Sequence, residues 1–208
     1  MYKKALVLAP HTDDGEFGCG GTIHKLVEQG CEVHYAAFSV CELSIPDGLP
    51  KDILEVEVKE ATKALGIHKE NLHIFKYPVR TFPENRQPIL EDLIKLRKEI
   101  NPDLVLLPSP NDIHQDHYTI SIEGTRAFKN TTLLGYEIIW NNLTINTQCF
   151  NILEKRHIDK KIEALDCYKS QKGRNYANSE FIKSLACIRG TQIGAQYAEV
   201  FEVIRQIL

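Results

Sequence analysis

Short apolar segments rich in branched residues alternate along the chain with longer stretches of helical period, and this alternation restricts the fold more than any other feature. Residues 4–9 are predicted as a buried strand and residues 21–29 as a helix ended by Gly30. The pattern then repeats, with strands over 32–40, 72–77 and 104–107. Between them lie helices over 51–65, stopped by Gly66, and over 88–100, ended by Asn101 and Pro102. Each crossover is long enough to join parallel strands, so the expected class is α/β: a Rossmann-like three-layer sandwich with a mostly parallel central sheet. Beyond Gly135 the pattern weakens. Strands are expected over 136–140, 147–152 and 198–204, and helices over 158–168 and 179–189.

At 208 residues the chain suits one domain with a sizeable core, and residues 1–208 are expected to form a single domain. Hydrophobic residues at 43% and charged residues at 25% give the balance of a soluble globular protein. A net charge of -3 argues against nucleic acid as a partner. No apolar run has signal-peptide or bilayer length, so a cytoplasmic protein without a transmembrane segment is expected. The six cysteines show no CxxC spacing, which leaves neither a zinc ribbon nor a thioredoxin-like motif.

Immediately after the first predicted strand comes "PHTDDGEFGCGG", residues 10–21, with one histidine and three carboxylates. The glycines before a helix suggest a phosphate-binding turn, but three carboxylates in that turn oppose an anion. Their repulsion is tolerable around a cation, and His11 with Asp14 offers the nitrogen and oxygen ligands that zinc accepts. A second polar cluster, "SPNDIHQDH" at 109–117, follows the fourth predicted strand and adds His114, Asp116 and His117. In open α/β sheets ligands bind beyond the carboxyl ends of the strands, where the two clusters can meet. A His2Asp zinc site with an open water position is the resulting expectation.

"PHTDDGEFGCGGTI" and "PSPNDIHQDH" resemble the paired signature motifs of the LmbE-like/PIG-L deacetylases, PHPDD-x-E-x-G-x-G-G-T and [HP]-x-x-D-x-H-x-D-H. A weaker resemblance runs through Glu57, "ALGI", "YKSQ" at 168–171 and "QYAEVF" at 196–201, so it extends over nearly the whole chain. The resemblance implies a zinc-dependent hydrolase that removes an acyl group, usually acetyl, from the amine of a glucosamine-type sugar or its conjugate. It places one Zn2+ per chain on His11, Asp14 and His117. It makes Asp13 the general base and His114 the assisting histidine, which Asp116 would orient or charge-tune. Fe2+ or Co2+ can substitute in an N2O site. The implied partner is a small-molecule N-acylated aminosugar or glycoconjugate, and relatives often form homo-oligomers. Thr12 and Ser109 stand where the family usually has proline and histidine, and Leu54 stands near a common arginine position.

Blander roles compete for the same residues. Asp13, Asp14 and Glu16 are suited to capping a helix N-terminus, and His114 and His117 to a surface loop whose Asp116 caps the next helix. Glu16 is expected to brace the loop from behind the metal, and Cys19 to pack rather than ligate. Arg80, after the third strand, is a candidate substrate-binding residue for a sugar hydroxyl or phosphate. Residues 169–180 are a candidate lid. A non-catalytic acyl-sugar-binding module is the alternative function. A nucleotide cofactor is not expected, because the turn lacks GxGxxG.

Overall fold

The computed structural model describes residues 2–207. One seven-stranded sheet organises them in the order β3-β2-β1-β4-β5-β7-β6. The strands are β1 (Lys4–His11), β2 (Glu32–Ser39), β3 (Leu72–Ile74), β4 (Leu104–Pro108), β5 (Thr132–Tyr136), β6 (Cys149–Leu153) and β7 (Tyr197–Arg205). The first five in spatial order are parallel, and β7 runs antiparallel to both of its neighbours. The mostly parallel α/β sandwich expected from the alternation is the fold observed.

Six helices cover the sheet: α1 (Asp14–Glu28), α2 (Ile53–Ala64), α3 (Arg86–Ile100), α4 (Gln115–Ala127), α5 (Lys155–Leu165) and α6 (Ser179–Thr191). Side chains of β1 alternate between two cores. Ala5, Val7 and Ala9 face the layer of α1, α2, α5 and α6, while Leu6 and Leu8 face α3 and α4. Burial on both faces is why β1 reads as a continuous apolar run rather than an alternating one. The chain steps outward from β1 to β3 and then returns to β4 on the other side of β1. That reversal opens a crevice at the carboxyl ends of β1 and β4, where the two polar motifs lie.

Several elements differ from the sequence expectation, among them α5, which begins and ends three residues earlier. Helix α1 begins at Asp14, seven residues before the predicted start, so most of the first motif is helix rather than turn. The glycines that lower its helical propensity let it sit against the sheet. A Cβ on Gly15 would stand 2.5 Å from the Tyr35 ring, and one on Gly18 would run into the Tyr136 ring. At Cys19 the helix is kinked (φ -147°, ψ 26°), and Glu199 of β7 accepts the N–H groups of Gly21 and Thr22 just beyond the kink. Strand β3 is shorter than predicted, and the strand expected over 136–140 lies instead at Thr132–Tyr136. Among the described residues no helix is long and apolar enough to cross a membrane.

Candidate metal centre

His11 is the last residue of β1, Asp13 the N-cap of α1 and Asp14 its first residue. His114 is the N-cap of α4, and His117 lies in that helix's first turn. The fold therefore brings residues a hundred positions apart into contact. His11 Nδ1 and His117 Nε2 are 3.2 Å apart, and Asp14 Oδ2 is 3.1 Å from each. Donors around a tetrahedral ion with bonds of about 2.0–2.1 Å are separated by about 3.3 Å, close to the sides of this triangle.

The other nitrogen of each ring rests on a carboxylate. His11 Nε2 is 3.0 Å from Asp116 Oδ2, and His117 Nδ1 is 2.7 Å from Asp112 Oδ2. Outer carboxylates of this kind take the ring proton and fix the tautomer. With the rings neutral, both inner nitrogens present lone pairs toward Asp14 Oδ2, so three acceptors converge with no side-chain donor among them. A proton or a metal cation relieves that repulsion, and two nitrogens with one oxygen are a donor set that fits a metal.

The electrostatics agree. Burial opposes charge on His11, but Asp14 and Asp116 hold its pKa above the ordinary imidazole value. For His117 the same opposition from burial is overcome by Asp14 and Asp112, which push it up to about 10. Burial would raise Asp14, yet the two histidines hold it well below the usual carboxylate range. The field that would keep protons on these rings is the field a metal ion would experience.

Asp13 differs from its neighbour. It is half-buried, makes no side-chain capping bond and lines the cleft. Burial and the adjacent Asp14 raise its carboxyl to about 6, against the lowering effect of His11. The capping alternative fails for the other two carboxylates as well. Asp14 accepts the His11 N–H at 2.8 Å, while Glu16 accepts hydrogen bonds from Tyr35 and Tyr168. Burial pushes Glu16 up to about 8. Tyr35 and Tyr168 also reach the Thr12 carbonyl, at 3.0 and 2.6 Å, so Glu16 braces the loop through two tyrosines.

Asp116 acts on His114 through its charge, which raises the ring's pKa against the lowering effect of burial, and not through a side-chain hydrogen bond. Its side chain turns inward to His11 and also accepts the backbone N–H groups of Arg80 and Phe82. Helix geometry is the reason: the first turn of α4 points Asp116 into the protein and leaves His114 at the cleft. His114 Nδ1 instead accepts the backbone N–H of Asp116 at 3.2 Å. The neutral ring therefore carries its proton on Nε2, as a donor into the cleft. Burial and the two neighbouring histidines lower the His114 pKa, which favours this neutral donor over the imidazolium. Its ring lies 5.0 Å from His11 and 4.7 Å from His117, and the three histidines form one cluster.

The cleft contains about 740 Å³ of empty space, counted to its open mouth, and Arg80 is on its wall. From the candidate lid, Gln171, Arg174 and Tyr176 line the cleft, whereas Cys19 packs in the core beside the helix kink. Sequence reasoning missed Asp112, although the second signature contains that aspartate. It also missed that Glu57 accepts both the Ser170 N–H, at 3.0 Å, and the Ser170 hydroxyl, at 2.5 Å. Trp140 had no signal beyond its residue type. It stacks on Tyr176 with ring centroids 4.0 Å apart, and Phe17 packs edge-on to it. Ser109, at a common histidine position of the resemblance, ties the loop to Glu202 of β7.

A family model described as "PIG-L: GlcNAc-PI de-N-acetylase" matches residues 6–128, more than half of the chain. The diacetylchitobiose deacetylase of Thermococcus kodakarensis is 33% identical over 134 residues, 60% of this chain and 49% of that protein. The chain thus spans about half the length of that relative. Among solved structures, N,N'-diacetylchitobiose deacetylase from Pyrococcus horikoshii superposes with a TM-score of 0.81 at 24% identity, over 98% of this chain and 84% of that one. The 4-carboxy-2-hydroxymuconate hydratase GalB of Pseudomonas putida also superposes at 0.81, with 20% identity over 99% and 98% of the two chains. A hydratase on this architecture means that the fold alone does not select the reaction.

Proposed function

The chain belongs to the PIG-L family, and from that premise we propose that it is a Zn2+-dependent N-deacetylase acting on an N-acetylated aminosugar or its conjugate. The observation that carries this reading is the convergence of His11, Asp14 and His117 beside a carboxylate, Asp13, that no other side chain engages. In this reading His11, Asp14 and His117 hold the ion. When bound, Zn2+ supplies Lewis acidity, making water acidic near neutral pH and polarising an acyl carbonyl.

The rest of the work falls to the chain. Asp13 accepts a proton from the attacking water as the water oxygen bonds to the acyl carbon. It returns that proton to the nitrogen as the C–N bond breaks, which releases acetate and the free amine. His114 Nε2–H donates to the carbonyl oxygen as negative charge develops there. Asp112 and Asp116 hold the two ligand rings in place. Gln171, whose buried side-chain oxygen has no partner among the described residues, offers an acceptor to a sugar hydroxyl. The sheet runs unbroken from Lys4 to Arg205, which supports reading residues 1–208 as one deacetylase domain. We assign the substrate as a small molecule.

The test is acetate release by zinc-loaded protein across a panel of N-acetylglucosamine conjugates, with Asp13→Ala as the blank. Release by the wild type alone supports the reading. No release despite one tightly bound zinc favours the acyl-sugar-binding alternative.

A further inference from the structure

A second pair of imidazoles repeats the geometry of the candidate metal centre. His34 of β2 and His73 of β3 bring Nδ1 of one ring to 3.2 Å from Nε2 of the other. The facing nitrogens of His11 and His117 have the same separation. As at that centre, an outer nitrogen rests on a carboxylate. His34 Nε2 is 2.9 Å from Glu32 Oε1, between the distances at which Asp112 and Asp116 hold their rings. Strand alternation places both rings on one face of the sheet. Ala36 and Phe38 of β2 join the core under α3 and α4, and His34 shares their side of the strand. Leu72 and Ile74 of β3 pack toward the opposite core, which turns His73 to the side of His34. The two rings stack with centroids 5.5 Å apart.

The protons on these rings leave room for an ion. Glu32 takes the His34 proton on Nε2 and exposes a lone pair on Nδ1. Without a metal, His73 answers that lone pair by donating Nε2–H. Burial and the adjacent His34 hold the His73 pKa below the ordinary imidazole value, against the pull of Glu99 on α3, so His73 is neutral at pH 7. An ion between the rings needs the His73 proton to move from Nε2 to Nδ1, a change of tautomer with no change of charge. The place is also separate from the cleft. His34 pairs with Leu6, five residues before His11 on β1, so the two sites lie about 16 Å apart along the strands.

We infer that His34 Nδ1 and His73 Nε2 form a second, independent site for a late first-row divalent cation such as Zn2+, and that the bound ion staples β3 to β2. Two imidazoles select such ions over Mg2+ and Ca2+, and water completes the coordination. His34 is buried, whereas the half-buried His73 lies on the edge strand, where solvent delivers the ion. A staple has something to hold there, because β3 is only three residues long. Its continuation keeps two further bonds to β2, from the Phe75 N–H to the Ala37 carbonyl at 2.8 Å and from the Tyr77 N–H to the Phe38 carbonyl at 3.0 Å. The same segment then reaches Arg80 on the cleft wall, whose N–H is held by Asp116. The site is independent of the deacetylase reading.

The test is calorimetric titration of Zn2+ into the full chain already carrying its first zinc, with Mg2+ as the control ion. Wild type, His34→Gln, His73→Ala, the double variant and Glu32→Gln are compared, and circular dichroism of each checks the fold. The expected result is one further equivalent of Zn2+ and none of Mg2+ in the wild type, with no further equivalent in the double variant. Glu32→Gln keeps both ligands and loses only the outer carboxylate, so its affinity should fall about tenfold. Imidazole 15N spectra should show coordination at His34 Nδ1 and His73 Nε2. Hydrogen exchange over residues 72–77 should slow on adding Zn2+ to the wild type and stay unchanged in His73→Ala. His73→Ala, at a half-buried edge position, keeps the test valid where the buried His34→Gln fails to fold. No zinc beyond the first, or a further equivalent that survives loss of both histidines, overturns the site. Binding at these rings without slower exchange in β3 overturns the staple.

Discussion

On the floor of the cleft, both ring nitrogens of His11 and His117 have a charged or ligating neighbour within 3.2 Å. At its mouth, Arg80 and Arg174 meet only a hydroxyl each. The floor is built from the ends of two central strands and the first turns of the helices that follow. The mouth comes from loops, with Leu54 as an apolar wall of α2. Rigid elements suit a constellation that must hold an ion in one geometry, while unpaired charges on loops suit recognition of a variable ligand. The contrast fits the proposed function, with chemistry at the floor and selectivity at the mouth.

The strongest way to break that division is His117→Ala. It removes one of three converging donors and leaves Asp112 buried without its ring partner. Zinc content after dialysis should fall from one per chain to near zero, measured by elemental mass spectrometry, and acetate release should vanish with it. Retention of the metal would place the ion elsewhere. Asp13→Asn is expected to keep full zinc occupancy while kcat falls by about 10²–10⁴-fold, the range for loss of a positioned general base. Parallel loss of metal would move Asp13 into the ligand set. Asp112→Asn should sit between these two. It keeps the ligands but weakens the grip on the His117 ring, so zinc affinity should drop about 10–100-fold by competition with a chelator.

Both regions were legible in outline, the floor through its two motifs and the mouth through Arg80 and the 169–180 segment, which supplies Gln171, Arg174 and Tyr176 to the cleft. Strands β1, β2 and β4 are apolar because both faces are buried, and the polar clusters that follow them mark the carboxyl edge of the sheet. The early start of α1 was hidden by its own chemistry, since glycines and carboxylates score poorly as helix formers. A signal was nevertheless present: Gly15, Gly18 and Gly21 recur at intervals of three, the spacing of one helical face pressed against bulky side chains. The hydrogen bond between the Asp116 carboxylate and His11 had no local signal, since His114 is the nearer histidine in sequence. Two residues along a helix turn the side chain to another face, and its partner is His11, 105 positions away. Glu57 and Ser170 were both noticed, but nothing local connects positions 113 apart.

That last pair joins the two regions and gives the smallest expected effect. Glu57 is buried on α2 and receives both the N–H and the hydroxyl of Ser170, which fixes the turn that carries Gln171 and leads to Arg174. Tyr168, two residues earlier, is already tied to Thr12 and Glu16 on the floor. Glu57→Gln preserves size and one acceptor but replaces the second carboxylate oxygen with a donor facing the Ser170 hydroxyl. The loss of one charge-assisted hydrogen bond should loosen residues 169–176 while leaving Tyr168 anchored. KM should rise roughly tenfold or less, with zinc content and kcat little changed. Limited proteolysis should cut this loop faster. A fall in kcat with KM unchanged would show instead that Glu57 acts through the floor, and the separation of chemistry from selectivity would have to be redrawn at α2.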